Sequence, residues 1–327
     1  MNVQNPSQLY DKAHSIEFYN SRYEQGYMEE WPIEKKRRVF EVIQALQLPE
    51  RGEALDFGCG NGVLTEIVRQ ALPTWTIYGT DISEVAIRNA AKYHPGCVFF
   101  EASDPSFADK KFDFVFTNHV IEHVFNLTEV IYEISQYLKL KASMLHFLPC
   151  GNEGSYENSI CLLRKDGINP EMGNRFFFED KGHVRRLTTC QLSKICQAQN
   201  FRLEKAFYAN QYYGAIEWIT GSGPQFVLNF ADPVHAVNLD AKRKLQRTRL
   251  YLLTITLLRM PTQIFTRFRY KKDKSLKHFI GLGLGLICLP FSQPVDQYWR
   301  KKAREEWEAQ SADQRGSEMC LYFTRGY

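Results

Sequence analysis

Apolar positions follow two alternating periods over most of the chain. Short apolar runs typical of β-strands occupy residues 54–57, 75–78, 97–101, 112–117, 144–148 and 201–208. Between them, apolar residues recur every three or four positions, as on one helix face, at 33–48, 63–68, 83–94 and 126–138. Strands that alternate with helices predict an α/β fold with a mostly parallel sheet.

A last strand-like run covers Ser317–Tyr327, and helical patterns fill much of residues 209–316 before it. We therefore expect four segments along the chain. They are an N-terminal cap segment (1–32), a core (33–208), a helical and basic insertion (209–316) and a final core strand (317–327). The core includes a loop at 150–187, and loops of this length usually carry function.

The first strand runs into a glycine turn within residues 54–65, ALDFGCGNGVLT. Gly58, Gly60 and Gly62 let the backbone take positive φ and let a ligand lie against it. Asp56 stands two residues before Gly58, at the carboxyl end of the strand, where ligands of such sheets bind. A carboxylate there would repel a pyrophosphate and attract an ammonium or a sulfonium.

The segment Asp56-Phe57-Gly58-Cys59-Gly60-Asn61-Gly62 resembles motif I of class I S-adenosylmethionine (SAM) methyltransferases. The resemblance implies that this loop, with Asp56, Gly58, Cys59 and Gly60, holds the methionine end of SAM. It also implies a Rossmann-like, doubly wound, seven-stranded sheet whose last strand is antiparallel, with a helical insertion before that strand. An ordinary tight turn between strand and helix is the alternative.

Acidic residues also end the second and third predicted strands. Asp81, 21 residues beyond Gly60, can accept hydrogen bonds from both hydroxyls of a ribose, and Ile82 adjoins it. NAD enzymes share this device, and a helix cap or turn is the structural alternative. By the resemblance, Ser103 and Asp104 would meet the adenine, although Asp104 also suits a turn before Pro105.

The strand at 112–117 runs into Asn118-His119-Val120-Ile121-Glu122-His123, which is similar to motif IV of the same family. The resemblance places Asn118, His119 and His123 at the cofactor. The same run spells H-x-x-E-H, a zinc signature that belongs within a long helix. Because a strand ends just before this run, we expect no metal here, and a helix-start packing role is the commoner alternative.

Tyrosines of the N-terminal segment are spaced four residues apart, at Tyr19, Tyr23 and Tyr27, and would share one helix face. In the resembled family such a segment often packs over the cofactor, so Tyr27 is a candidate contact. Plain packing on the core is the alternative.

His183 is the candidate catalytic base. It lies in the glycine-spotted loop, in a segment from Gly182 to Phe201 that is similar to the one before the sixth strand of many small-molecule methyltransferases. In them a histidine at this position commonly faces the acceptor. A surface or capping histidine is the competing interpretation.

Charge and cysteine content refine this picture. The net charge of the 327 residues is +4, yet residues 241–277 hold 12 lysines and arginines against one acid, Asp273. No run reaches the roughly 20 apolar residues of a membrane span, the longest being Phe279–Phe291. Eight scattered cysteines and the lack of a signal-peptide core predict a cytoplasmic protein.

The resemblance implies an enzyme that methylates oxygen or nitrogen, less readily carbon, of a small-molecule or lipid-linked acceptor, as in natural product biosynthesis. S-adenosylhomocysteine would be the product of the cofactor. A non-catalytic SAM-binding protein, a Rossmann-type oxidoreductase and a zinc hydrolase are the alternatives. We expect no nucleic-acid partner. Residues 241–291 would form a lid, a homodimer surface or a peripheral membrane contact.

Overall fold

The computed structural model describes residues 12–107, 109–270 and 276–326. Tyr327 and residues 1–11 of the expected cap segment lie outside them, as do residues 271–275 within the basic run. The helices are α1 Lys12–Glu24, α2 Ile33–Ala45, α3 Val63–Ala71, α4 Glu84–Tyr93, α5 Leu127–Gln136, α6 Tyr156–Cys161, α7 Thr189–Gln197, α8 Tyr213–Gly221, α9 Pro224–Phe230, α10 Leu239–Tyr270 and α11 Leu276–Gln310. The strands are β1 Glu53–Phe57, β2 Thr76–Asp81, β3 Val98–Glu101, β4 Phe112–Asn118, β5 Leu138–Pro149, β6 Ile168–Asn169, β7 Arg175–Phe176, β8 Phe201–Ala209 and β9 Glu318–Arg325.

Seven strands form one mixed sheet in the order β3-β2-β1-β4-β5-β9-β8. The pairs β1–β2, β1–β4, β2–β3 and β4–β5 are all parallel, and one strand of the sheet is antiparallel. This is the Rossmann-like sheet that the sequence predicted. Because parallel strands end at the same edge, the ends of β1, β2 and β4 meet there and can build a shared site.

Two helices of the first half of the chain begin at a side-chain cap. Ser83 accepts the backbone N–H of Ala86 at the start of α4. Asn126 accepts the N–H of Glu129 at the start of α5 and donates its side-chain amide to the Glu129 carboxylate. These caps fix where the two helices leave the sheet.

Two elements are longer than their sequence patterns indicated. Strand β5 begins at Leu138, so Leu138 belongs to the strand and not to the apolar face of the preceding helix. Helix α11 continues through Pro290 and Pro294, so the apolar run Phe279–Phe291 and the residues after it belong to one helix. Periodicity missed both because exposed residues interrupt the apolar run in β5, and proline normally ends a helix.

The chain forms two compact units. The first consists of Met1–Leu148, Cys190–Ala206 and Cys320–Tyr327. Its core is made of aromatic and aliphatic side chains from the sheet and α2, among them Ile43, Leu55, Phe112, Phe114, Phe116, Phe147, Phe201 and Phe323.

The second unit consists of Pro149–Thr189 and Phe207–Met319. Its core joins α8 and α9 to one side of α10 and α11, and includes Ile160, Ile216, Ile219, Val227, Phe230, Leu245, Leu252, Ile255 and Trp299. Within the described residues, no helix combines the length and the apolar character that crossing a membrane requires.

Candidate cofactor site

The loop after β1 is held against the end of β2. The backbone N–H groups of Gly58 and Cys59 both donate to the carbonyl oxygen of Thr80, at 2.8 and 2.9 Å. Gly58 has a φ of +78°, and a Cβ there would lie 2.4 Å from Cγ2 of Val120. Glycine alone tolerates both conditions, since it lacks a Cβ and takes positive φ freely. The loop thus brings bare backbone to the carboxyl edge of the sheet.

Asp81 ends β2 and fastens two backbone segments. Its Oδ2 accepts the N–H of Gly60 and its Oδ1 accepts the N–H of Ser83, each at 2.9 Å. Burial raises the pKa of this carboxyl, and the backbone donors oppose that rise. A carboxylate offers about four lone-pair sites, and Gly60, Ser83 and Ile82 all supply backbone donors, so room remains for a further donor such as a ribose hydroxyl. Ile82 follows it and is half-buried.

Asp56 lies within β1, in register with Gly79 of β2 and Phe116 of β4. Its side chain is buried, and Oδ2 accepts the hydroxyl of Thr65 at 2.6 Å. The pKa of Asp56 is raised to about 7. Burial is the main cause, the hydrogen bond from Thr65 opposes the rise, and the neighbouring Asp81 adds to it. A cation placed nearby would lower this pKa and stabilise the ionised carboxylate.

Helix α1 covers the glycine loop with a tyrosine that the sequence did not single out. The hydroxyl of Tyr23 lies so close to Gly60 that a Cβ on this glycine would be 2.7 Å from it. Burial raises the pKa of Tyr23, and Asp81 raises it further, so the phenol stays protonated and able to donate. The four-residue spacing of tyrosines was the available signal, but it did not say which one reaches the loop.

The other expected contact from this segment, Tyr27, lies beside the loop through its backbone. Its carbonyl oxygen accepts the side-chain amide of Asn61 at 2.9 Å, and its ring lies under the Arg22 guanidinium, 3.6 Å from it. Asn61 is buried and also accepts the amide of Asn89. Asn61 therefore links the glycine loop to the turn after α1, through Tyr27, and to α4, through Asn89.

The end of β4 supplies Asn118, whose side chain is only 8% exposed. Its Oδ1 is buried and has no hydrogen-bond partner among the described residues. An unmet acceptor of this kind costs free energy unless a donor arrives, so it fits a site completed by a ligand with N–H or O–H groups.

His119 and His123 follow Asn118 in a turn, since α5 begins only at Leu127. The H-x-x-E-H spacing therefore does not place both imidazoles on one helix face. His119 stacks on Trp31 at 5.8 Å between ring centroids, and its Nδ1 lies 2.8 Å from Oε1 of Glu122. His123 meets the hydroxyl of Tyr19 through Nδ1, at 3.0 Å.

Ser103 and Asp104 follow β3, the strand next to β2 in the sheet. Ser103 is exposed, and Oδ1 of Asp104 accepts both the backbone N–H and the hydroxyl of Ser106. Those bonds lower the pKa of Asp104. The carboxylate thus makes the turn that the sequence offered as an alternative.

His183 belongs to the second unit and is described with it. Its side chain is 8% exposed, so it is not a surface residue. Its Nδ1 lies 3.8 Å from Oε2 of Glu179, a separation at which the two groups interact electrostatically. Burial raises the pKa of Glu179, but Arg186 and His183 outweigh it, so the net shift is downward. Glu179 is therefore an anion placed beside the imidazole.

Arg186 holds this carboxylate in place. It is buried, forms an ion pair with Glu179, and donates to the carbonyl oxygens of Cys150 and Ser317 at 2.7 and 2.8 Å. A second buried carboxylate, Glu157, lies 3.4 Å from its guanidinium. Sequence analysis missed this network, because its members are far apart in the chain.

A family model described as a methyltransferase domain matches residues 28–206. The trans-aconitate 2-methyltransferase of Variovorax paradoxus (strain S110) is 30% identical over 93 residues, which are 28% of this chain and 36% of that protein. The enzyme of the same name from Enterobacter sp. (strain 638) is 25% identical over 195 residues, 59% of this chain and 76% of that protein. The chain thus spans little more than a third of the length of the first of these relatives.

Among solved structures, the PH0226 protein from Pyrococcus horikoshii OT3 is 20% identical with a TM-score of 0.47, and the match covers 58% of this chain and 94% of that one. The family match covers more than half of the chain and contains the glycine loop and both buried aspartates. The chain therefore belongs to the methyltransferase domain family of class I SAM-dependent methyltransferases, and this membership implies SAM as its cofactor.

Proposed function

We propose that the protein transfers a methyl group from SAM to an oxygen or nitrogen atom of a small-molecule acceptor. The observation that carries the proposal is the pair of buried carboxylates, Asp56 and Asp81, at the ends of adjacent parallel strands around a glycine loop. Bound SAM supplies an electrophilic methyl group on a cationic sulfur, while the chain binds, orients and shields it.

Each residue of the site has a proposed part in holding SAM. Asp81 receives a ribose hydroxyl on the acceptor capacity that its backbone donors leave open. Asp56 provides negative charge for the cationic end of SAM, and Asn118 accepts a hydrogen bond from its ammonium group. The remaining contacts that we propose are Tyr27, Gly58, Cys59, Gly60, Ile82, Ser103, Asp104, His119 and His123.

His183 is the proposed base for an acceptor that enters protonated, as an alcohol or phenol does. Glu179, an anion beside the imidazole, would stabilise the positive charge that the ring acquires when it takes up the proton. A carboxylate acceptor carries no proton at neutral pH and would need no base. The loop at 150–187, which contains His183, and the insertion at 209–316 are the segments that we propose to shape the acceptor site.

Both relatives are named trans-aconitate 2-methyltransferase. Trans-aconitate and other small polycarboxylic acids are therefore the first acceptors to test. A non-catalytic SAM-binding protein is the second candidate, because the buried carboxylates account for cofactor binding but not for turnover.

Titration calorimetry with SAM and NADH, followed by measurement of S-adenosylhomocysteine release over a panel of carboxylic acids, phenols and amines, tests the proposal. We expect SAM binding, no NADH binding, and release that depends on one acceptor class. SAM binding without release over the whole panel would favour the non-catalytic candidate, and failure to bind SAM would overturn both.

A further inference from the structure

The paired helices α10 and α11 expose apolar side chains on the faces that their own core does not use. Leu250 on α10 is 70% exposed, and Ile287 and Phe291 on α11 are 75% and 81% exposed. The opposite faces are already buried through residues such as Leu252 and Trp299. Helices that are apolar on both faces are normally covered on both. These exposed residues, with Leu257 and Leu258, are called the hairpin surface below.

The sequence that carries the hairpin surface is strongly basic. Between Ala241 and Val295 the sequence has 12 lysines and arginines, and Asp273 is the one acid. One of these cations, Arg259, is buried and paired with Asp296, so it does not contribute to the outward charge. Arg243 and Arg247 are exposed, one helical turn apart, on the same helix as Leu250. Arg243 and Arg249 lie near Asp240 and Asp232, which are outside this stretch, and the stretch itself still has an excess of cations.

We infer that the hairpin surface docks on an anionic lipid membrane and lies in its interface. Cations attract the lipid headgroups, and exposed Leu, Ile and Phe side chains enter the boundary with the acyl chains. A second copy of the chain would bring two equally basic surfaces together, which is electrostatically unfavourable. Nucleic acid would leave the apolar side chains without a partner. The inference is independent of the proposed methyl transfer.

Co-sedimentation of the full chain with phosphatidylcholine vesicles, with and without phosphatidylserine, tests the inference. We expect pelleting with the phosphatidylserine vesicles only, and release at roughly 0.5 M salt, where screening acts over a few ångströms. Absence of pelleting at low salt overturns it. Size-exclusion chromatography in parallel would then show whether a dimer covers the surface instead.

Paired variants separate the hairpin surface from general charge effects. Arg243→Glu/Arg247→Glu should weaken vesicle binding at least about twentyfold, since each basic residue near an anionic surface adds about fivefold. Arg88→Glu/Lys92→Glu makes the same change in net charge on an exposed face of α4, at positions that are also four residues apart. Because these positions lie outside the hairpin surface, vesicle binding should stay within about twofold of that of the natural protein.

Ile287→Ser/Phe291→Ser tests the apolar contribution to vesicle binding, with Leu140→Ser, an 86% exposed strand residue, as its control. We expect the double variant to lose binding and the control to keep it. Equal binding by the hairpin variants and their controls would contradict the proposed surface.

Discussion

The carboxylate of Asp81 accepts the backbone N–H of Gly60 at 2.9 Å, so the residue that ends β2 also fixes the loop that follows β1. The same side chain holds the start of α4 through Ser83. One buried acid thereby orders the backbone on both sides of the proposed ribose position before any ligand arrives. Pre-ordering of this kind lowers the entropic cost of binding.

Replacing Asp81 with Asn should weaken SAM binding by about 1.5–3 kcal/mol, the range for hydrogen bonds to a charged group. The amide keeps one acceptor, but its NH₂ group faces a backbone N–H that the carboxylate had accepted. Titration calorimetry on the folded variant measures the loss. Asp113→Asn is the matched control, because Asp113 lies near the amino end of β4, away from the carboxyl ends of the strands where the site lies. Unchanged SAM affinity in Asp81→Asn would remove the ribose assignment.

Sequence analysis predicted the sheet and the Asp56, Gly58 and Asp81 positions for a shared physical reason. In a parallel sheet the ligand site lies at the strand ends, so contiguous motifs carry both the fold and the site. The role of Tyr23 was not predictable in the same way. The predicted helix face shared with Tyr27 is wrong, because α1 ends at Glu24, and the tertiary packing of α1 decides that Tyr23 meets Gly60.

Charge counts were similarly incomplete. The sequence grouped Arg259 with the exposed cations of the insertion, whereas it is buried and paired with Asp296, 37 residues away. The Arg186–Glu179 pair beside His183 also depends on tertiary structure. Such pairs produce no local pattern in the sequence, since the two partners lie far apart in the chain. They form because burying a charge without a partner costs free energy.

The raised pKa of Asp56 makes the stability of the SAM-free protein depend on pH. The native carboxyl has a pKa of about 7 against 3.8 when unfolded, so the native state binds the extra proton between these values. The contribution of this proton to the free energy of unfolding is complete below about pH 4 and is lost as the pH rises through about 7. Asp56→Asn should remove this contribution, so its melting temperature relative to the natural protein should rise from pH 5 to pH 8.

The same variant should bind SAM more weakly, because it lacks the negative charge. Asn can still accept the Thr65 hydroxyl, so the local packing is retained. Thermal unfolding at pH 5 and 8, without SAM, is the measurement. Parallel pH dependences for the two proteins would show that Asp56 does not titrate in this range.

Loss of the proposed base should affect turnover and not SAM binding. His183→Ala should lower kcat by about 10²–10⁴ with a hydroxyl acceptor, the usual contribution of a general base. With a carboxylate acceptor, kcat should change little, a difference that a merely structural role would not produce. His235→Ala, which replaces a half-buried histidine of the same unit paired with Asp166, is the control. Full activity of His183→Ala on a hydroxyl acceptor would rule out the base.

Arg259 should be decisive for the stability of the second unit. Its guanidinium is fully buried, pairs with Asp296 and Glu217, and also donates to the backbone carbonyl of Glu217. Arg259→Met keeps the bulk but removes one of the two arginines that pair with Asp296, so that Arg300 alone among the described residues still forms an ion pair with it. Breaking a buried pair on one side typically costs about 3–5 kcal/mol, and we expect a loss of that size.

A double substitution distinguishes this pairing from simple loss of packing. Arg259→Met/Asp296→Leu removes both buried charges, and replacing a whole buried pair by apolar residues is often close to neutral. The double variant should therefore be more stable than Arg259→Met alone. Urea unfolding followed by tryptophan fluorescence reports on this unit through Trp218, Trp299 and Trp307. If the loss in the double variant equals the sum of the losses in Arg259→Met and Asp296→Leu measured separately, the ion pair does not account for the burial of Arg259, and packing does.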